Sequence, residues 1–100
     1  MKSIMQPERE FKACFLCGRN GVGDPLERHH IFGGPNRTHS EKDGLWVWLC
    51  GNRCHRTGLR SAHMYRQTAD MLHRMGQAAW EHKYGTREEF IVRYGKNYQT

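Results

Sequence analysis

The chain has 100 residues, a hydrophobic content of only 37% and a net charge of +6. A chain of this length holds a single domain, and one this small buries too little apolar surface to be comfortably stable without a metal or disulfides. No apolar run approaches a membrane span, and Met1 to Glu10 is polar with charges of both signs, unlike a secretory signal. These features predict a cytoplasmic protein with no membrane partner, whose four cysteines are reduced and metal-bound rather than disulfide-paired.

The basic excess is localised. Arg28 to Arg66 contains seven basic residues against two acidic ones, Glu41 and Asp43. Arginine outnumbers lysine 11 to 5 over the whole chain, which suits bidentate contact with phosphate. A polyanionic partner is the natural expectation.

In chain order, Met1 to Glu10 reads as a loose arm, followed by one domain over residues 11–100. Phe11 to Cys17 opens the ordered part, and Gly18 to Pro25 is turn material. Leu26 to Phe32 forms a short predicted strand that breaks at Gly33-Gly34-Pro35, and the polar stretch Asn36 to Gly44 reads as a loop. Leu45 to Leu49 (LWVWL) is the strongest strand signal, an aromatic and β-branched run. From about Met64 to Tyr84, Leu72, Met75, Ala79 and Trp80 recur at helical spacing, and Gly85 supplies a stop. Thr86-Arg-Glu-Glu89 has the form of a capping box, opening a short helix that ends at Gly95. Two strands followed by helices predict an α+β unit with the chemistry in residues 11–63 and buttressing helices in 64–100.

Cys14-x-x-Cys17 and Cys50-x-x-x-Cys54 each fit a tight turn, and two such turns brought together supply four thiolates to a tetrahedral zinc. His55, adjacent to Cys54, is an alternative fourth ligand. A closed four-ligand site leaves no position for substrate, so it would act as a structural staple.

Glu27-Arg-His-His-Ile-Phe-Gly-Gly34 is the most specific feature of the sequence. Adjacent histidines at a strand end can divide two tasks, one holding a divalent cation and the other deprotonating water. Phosphodiester hydrolysis needs both. His55 and His63 follow the second cysteine pair, and His55 is placed to reach back to His29 and His30.

Taken together, Cys14-x-x-Cys17, HHIFGG and a hydrophobic strand ending LC…CH resemble the HNH (ββα-metal) endonucleases, in particular small phage and prophage proteins of that family. The resemblance runs from about Phe11 to His63. It implies a ββα-metal domain, a zinc staple, a second divalent metal (Mg²⁺, Mn²⁺, Ni²⁺ or Zn²⁺), DNA as partner and a bacterial host cell as location. It also implies His30 as general base, and His29, His55 and the candidate third ligand His63 around the catalytic cation. The family's asparagine normally precedes the LC of the second strand, where this chain has Leu45, Trp46, Val47 and Trp48; Asn52 and Asn36 are the candidate substitutes.

Arg28, Arg37, Arg53, Arg56 and Arg60 flank the histidine motifs and are the candidate phosphate contacts, which position a backbone without reading sequence. Trp46 and Trp48 share a strand face and are expected in the core, as are Trp80, Phe90 and Tyr94. His39, His73 and His82 are expected as solvated side chains. The reading is a zinc-stapled metal-dependent endonuclease of low sequence specificity; the alternative is a non-catalytic zinc module that binds nucleic acid or a phage protein.

Overall fold

Apolar residues in the amino-terminal half are sufficient for one hairpin, and the helices that bury it come afterwards. A computed structural model describes residues 1–99. In order it shows β1 (Leu26–His30), a 3-10 turn (Gly34–Asn36), α1 (Arg37–Lys42), β2 (Trp46–Cys50), a π-helical turn (Gly51–Arg56), α2 (Arg66–Lys83) and α3 (Arg87–Tyr94). This is the expected small α+β unit. No helix among the described residues is long and apolar enough to cross a membrane.

β1 and β2 pair antiparallel with His29 opposite Val47 and His30 opposite Trp46. Side chains alternate across a strand, so Glu27 and His29 share a face with Val47 and Leu49. Arg28 and His30 share the other with Trp46 and Trp48. The first face carries the core, in which Leu45, Val47 and Leu49 meet Ile31, Phe32, Leu72, Trp80, Phe90 and Tyr94. α2 approaches this layer closely at Gly76, where a Cβ would lie 2.7 Å from Ile31 Cγ2. α3 begins with the expected capping box, in which Glu89 N donates to Thr86 Oγ1 (3.1 Å) and Thr86 N to Glu89 Oε1 (3.0 Å). It ends at Gly95 in the left-handed region, φ 84°.

Asp43, at the tip of the hairpin, holds both helices. Its carboxylate accepts hydrogen bonds from Trp80 Nε1 (2.9 Å), Tyr94 Oη (2.7 Å) and Arg93 Nε (2.6 Å). Burial pushes this carboxyl up, but the donors from Arg93, Tyr94 and Trp80 outweigh it and hold the group below the usual carboxylate range.

The structure corrects several details. Both strands lie within one or two residues of their expected bounds, but Asn36 to Gly44 is not a loop, since it contains α1. The sequence RTHSEK has no apolar period. The buried Ser40 fixes the segment, accepting from Phe32 N (3.2 Å) and donating to Leu45 O (2.6 Å). The start of the chain is not a loose arm either. Ile4 N donates to Gly44 O (2.8 Å), Trp48 N to Gln6 Oε1 (2.9 Å) and Trp46 Nε1 to Met1 O (3.0 Å). With Ser3 Oγ donating to Trp46 O and Phe15 N to Trp48 O, the Trp48–Gln6 bond satisfies the outer edge of β2, which β1 leaves open. Trp46 is buried and Trp48 half-buried, but both face away from the main core. Arg28 Cζ lies 3.8 Å from the Trp46 ring centre and Lys12 Nζ 4.2 Å from that of Trp48. His39 lies on α1, edge-on to Tyr94, and His73 is half-buried, stacked on Phe32 with ring centres 5.4 Å apart.

Candidate metal centres

Two turns bring the cysteines together. Gly18 N donates to Cys14 O (2.9 Å) and Cys14 N to Arg19 O (2.8 Å), closing the first knuckle. The second sits on the π-helical turn, whose Asn52 and Arg53 amides both donate to Asp24, at 2.8 and 2.9 Å. The Sγ atoms of Cys14, Cys17, Cys50 and Cys54 all lie within 4.8 Å of one another. Cys17 and Cys50 approach to 3.5 Å, far beyond an S–S bond. A tetrahedral zinc with Zn–S bonds of about 2.3 Å sets S···S edges of about 3.8 Å, so the four thiols need little movement to close on an ion. Burial pushes the Cys17 thiol up, but the Arg19 amide and the hydrogen bonds from Cys50, Cys14 and Cys54 more than offset it and bring it to about 6. Cys50 and Cys54 are pushed up by burial and by their neighbouring thiols, Cys50 to about 11. A divalent cation would reverse these effects. Cys54, not His55, is the fourth member.

His55 belongs to a second cluster, on the core face of the hairpin. The ligand nitrogens of His29, His55 and His63 lie within 4.8 Å of one another. Ring centres are 5.0 Å apart for His29–His55, 5.3 Å for His29–His63 and 4.6 Å for His55–His63. β1 supplies the first imidazole and the π-helical turn the second. The chain then loops back, so that Ala62 N donates to Cys54 O (2.7 Å) and His63 N to His55 O (3.0 Å). Gly58 permits that loop, since a Cβ there would collide with the Arg53 carbonyl. His29 is buried, His55 half-buried and His63 exposed, so the cluster opens to solvent on one side. Burial, reinforced by the neighbouring histidines His55, His63, His73 and His30, lowers His29 to about 3. Burial and His55 also lower His63. Both are therefore neutral near pH 7, the form that binds a cation.

Glu27 completes this arrangement. On the same face of β1 as His29, it takes a hydrogen bond from His55 Nδ1 at 2.8 Å and another from Arg56 at 2.6 Å. The first of these fixes the Nδ1–H tautomer and leaves His55 Nε2 to the cluster. Sequence reasoning missed Glu27, although alternation along ERH places it beside His29. Asp24 was missed for want of any local signal.

His30 does not join the cluster. It lies on the opposite strand face, with Nε2 2.8 Å from Glu41 Oε1 and Arg37 Nε 3.4 Å from Nδ1. With Arg37 donating to Nδ1, the proton sits on Nε2 and points at Glu41. Neither candidate asparagine reaches the histidines: Asn36 Nδ2 donates to Tyr94 O (2.9 Å), and Asn52 accepts from Arg56 (3.4 Å).

The arginines fall into two groups. Arg28 lies over Trp46 and pairs with Glu41 at 3.0 Å, Arg56 pairs with Glu27, and Arg37 leans on His30. The Arg53 and Arg60 guanidiniums form no ion pair among the described residues and line one groove with Arg74.

No protein-family model, curated protein or solved structure matches the chain.

Proposed function

We propose that the protein is a zinc-stapled, divalent-metal-dependent phosphodiesterase that nicks or cleaves DNA. The observation that carries this reading is the separation of two ligand sets. Four cysteines can close around a structural zinc. Three imidazoles beside them leave an open position, the pattern of a catalytic rather than a structural centre.

A divalent cation held there supplies positive charge to a phosphate oxygen and lowers the pKa of water. An all-imidazole set favours nickel or zinc over magnesium, which prefers oxygen ligands. His29, His55 and His63 are the ligands in this reading, and Glu27 keeps His55 turned toward them. His30 follows His29 directly and serves as the base. Its Nδ1 is free to accept a proton once the exposed Arg37 swings onto a phosphate, and Glu41 then stabilises the imidazolium through Nε2–H. A ββα-metal core of the HNH kind accommodates the hairpin, but here the ligands after β2 lie on a π-helical turn and a loop.

One observation favours a second reading, a non-catalytic zinc module that binds nucleic acid or a phage protein: His30 faces away from the histidine cluster. Incubation with supercoiled plasmid under Mg²⁺, Mn²⁺, Ni²⁺ or EDTA separates the two. Metal-dependent nicking, lost in His29→Ala and in a His30→Ala variant of equal zinc content, is expected. A protein that binds plasmid and leaves it intact with every metal belongs to the second reading.

A further inference from the structure

The loop that carries the third imidazole also forms one wall of a groove, and the composition of that groove points to a particular ligand. Its volume is about 1100 Å³, and it lies between residues 53–60 and the amino-terminal half of α2. Arg53, Arg60 and Arg74 line it, all exposed and none in an ion pair among the described residues. The acid in the lining, Asp70, is offset by Arg66 at 3.8 Å. Between the arginines the wall is apolar: Leu59 is 95% exposed, and Tyr65 and Met71 are also exposed. None of the three metal-binding histidines lines the groove, but His55 and His63 bracket the loop that forms it.

We propose that this groove seats an unpaired DNA strand and feeds it to the histidine cluster. The inference rests on the nuclease reading above. The charge calls for a polyanion, and the exposed leucine, tyrosine and methionine call for a partner with apolar faces to cover them. A duplex offers phosphates and keeps its bases stacked inside. An unpaired strand offers both, phosphates to the guanidiniums and base faces to Tyr65 and Leu59. An acidic peptide matches the charge and leaves the apolar wall uncovered.

Fluorescence anisotropy on the zinc-loaded full chain, with no second metal added, tests binding without cleavage. Labelled oligo-dT of 20 nucleotides and a 20-base-pair duplex serve as probes. The single strand is expected to bind at least tenfold tighter. Arg60→Glu with Arg74→Glu should abolish that advantage and flatten the salt dependence, by about 0.7 in log–log slope for each phosphate no longer neutralised. Tyr65→Ala should weaken the single strand several-fold and leave the duplex unchanged. Equal affinity for strand and duplex, variants that bind like wild type, or equal competition by oligo-glutamate of matching charge would each overturn the proposal. Plasmid nicking by the same preparations keeps the two readings apart. Strand binding without cutting under any metal supports the groove and sinks the nuclease. Cutting that survives the arginine reversals, with strand binding unaltered, does the reverse.

Discussion

Glu27→Gln tests the histidine cluster without touching a ligand. The 2.8 Å bond from His55 Nδ1 to Glu27 Oε1 is charge-assisted, a class worth about 1.5–3 kcal/mol. At about 1.4 kcal/mol per tenfold, its loss corresponds to about 10–100-fold in metal affinity, the range expected when a carboxylate behind a ligating histidine is removed. The Glu27 side chain is 34% exposed, and solvent screening places the expectation near the lower bound, at about tenfold. Glutamine keeps the shape and can still accept from Nδ1, so Glu27→Ala should fall further. Isothermal titration with Ni²⁺, on protein whose cysteines already hold zinc, reads the effect; His29→Ala supplies the baseline. Arg56→Ala removes the other bond to Glu27 and should change affinity less than threefold. Nickel affinity equal to wild type in both Glu27 variants would refute the role assigned to this carboxylate. Equal thermal melts would show that the loss belongs to the site and not to the fold.

Chelation should act differently on the two clusters. Prolonged treatment with a strong chelator is expected to strip the cysteine site and collapse the melting transition, because structural zinc binding is folding free energy; zinc content followed beside circular dichroism checks it. Asp43→Asn should cost about 3 kcal/mol in urea unfolding, since it leaves Arg93 without its acid in a largely buried setting. The pH dependence has a definite sign. The folded Asp43 carboxyl is depressed, so its contribution is present above the unfolded value of about 3.9 and is lost as pH falls through the folded value. Wild type should therefore lose stability below about pH 4 more steeply than Asp43→Asn. Gly76→Ala forces a methyl against Ile31 and Phe32 and should destabilise by about 1–3 kcal/mol in the same assay.

How much of this was legible depended on how local the cause was. The cysteine pairs were readable because knuckle spacing is a property of a few consecutive residues, and the capping box at Thr86 for the same reason. His55 and His63 were readable as candidates because they follow the second knuckle closely. α1 was invisible, since its stability comes from Ser40 bridging Phe32 and Leu45 and not from any period in RTHSEK. The pinning of residues 1–6 depends on the open edge of β2, about forty residues away in sequence. Adjacent histidines were read as one spot, whereas strand alternation sends His29 and His30 to opposite faces. The same alternation brings Glu27 to His29. His73 was misjudged because the rings that cover it, Phe32 and Tyr98, are distant in sequence.

Cys54 and His55 are neighbours on one π-helical turn, so the two clusters cannot move independently. Asp24 holds the amides that open that turn. The pairing of Ala62 with Cys54 and of His63 with His55 then sets the third imidazole from the same peptide units. Precise placement of ligands ordinarily requires a rigid surrounding core, and a chain of this size has little core to spare. An ion on the cysteines would supply that rigidity, because structural zinc contributes on the order of 10 kcal/mol, comparable to the whole stability of a small domain. Bringing a third imidazole beside His29 then needs only that the loop leaving Cys54 fold back on the π-helical turn, a requirement that Gly58 and two backbone hydrogen bonds satisfy. The exposed side of that turn and loop bears Arg53, Leu59 and Arg60, which line the groove proposed above for a single strand.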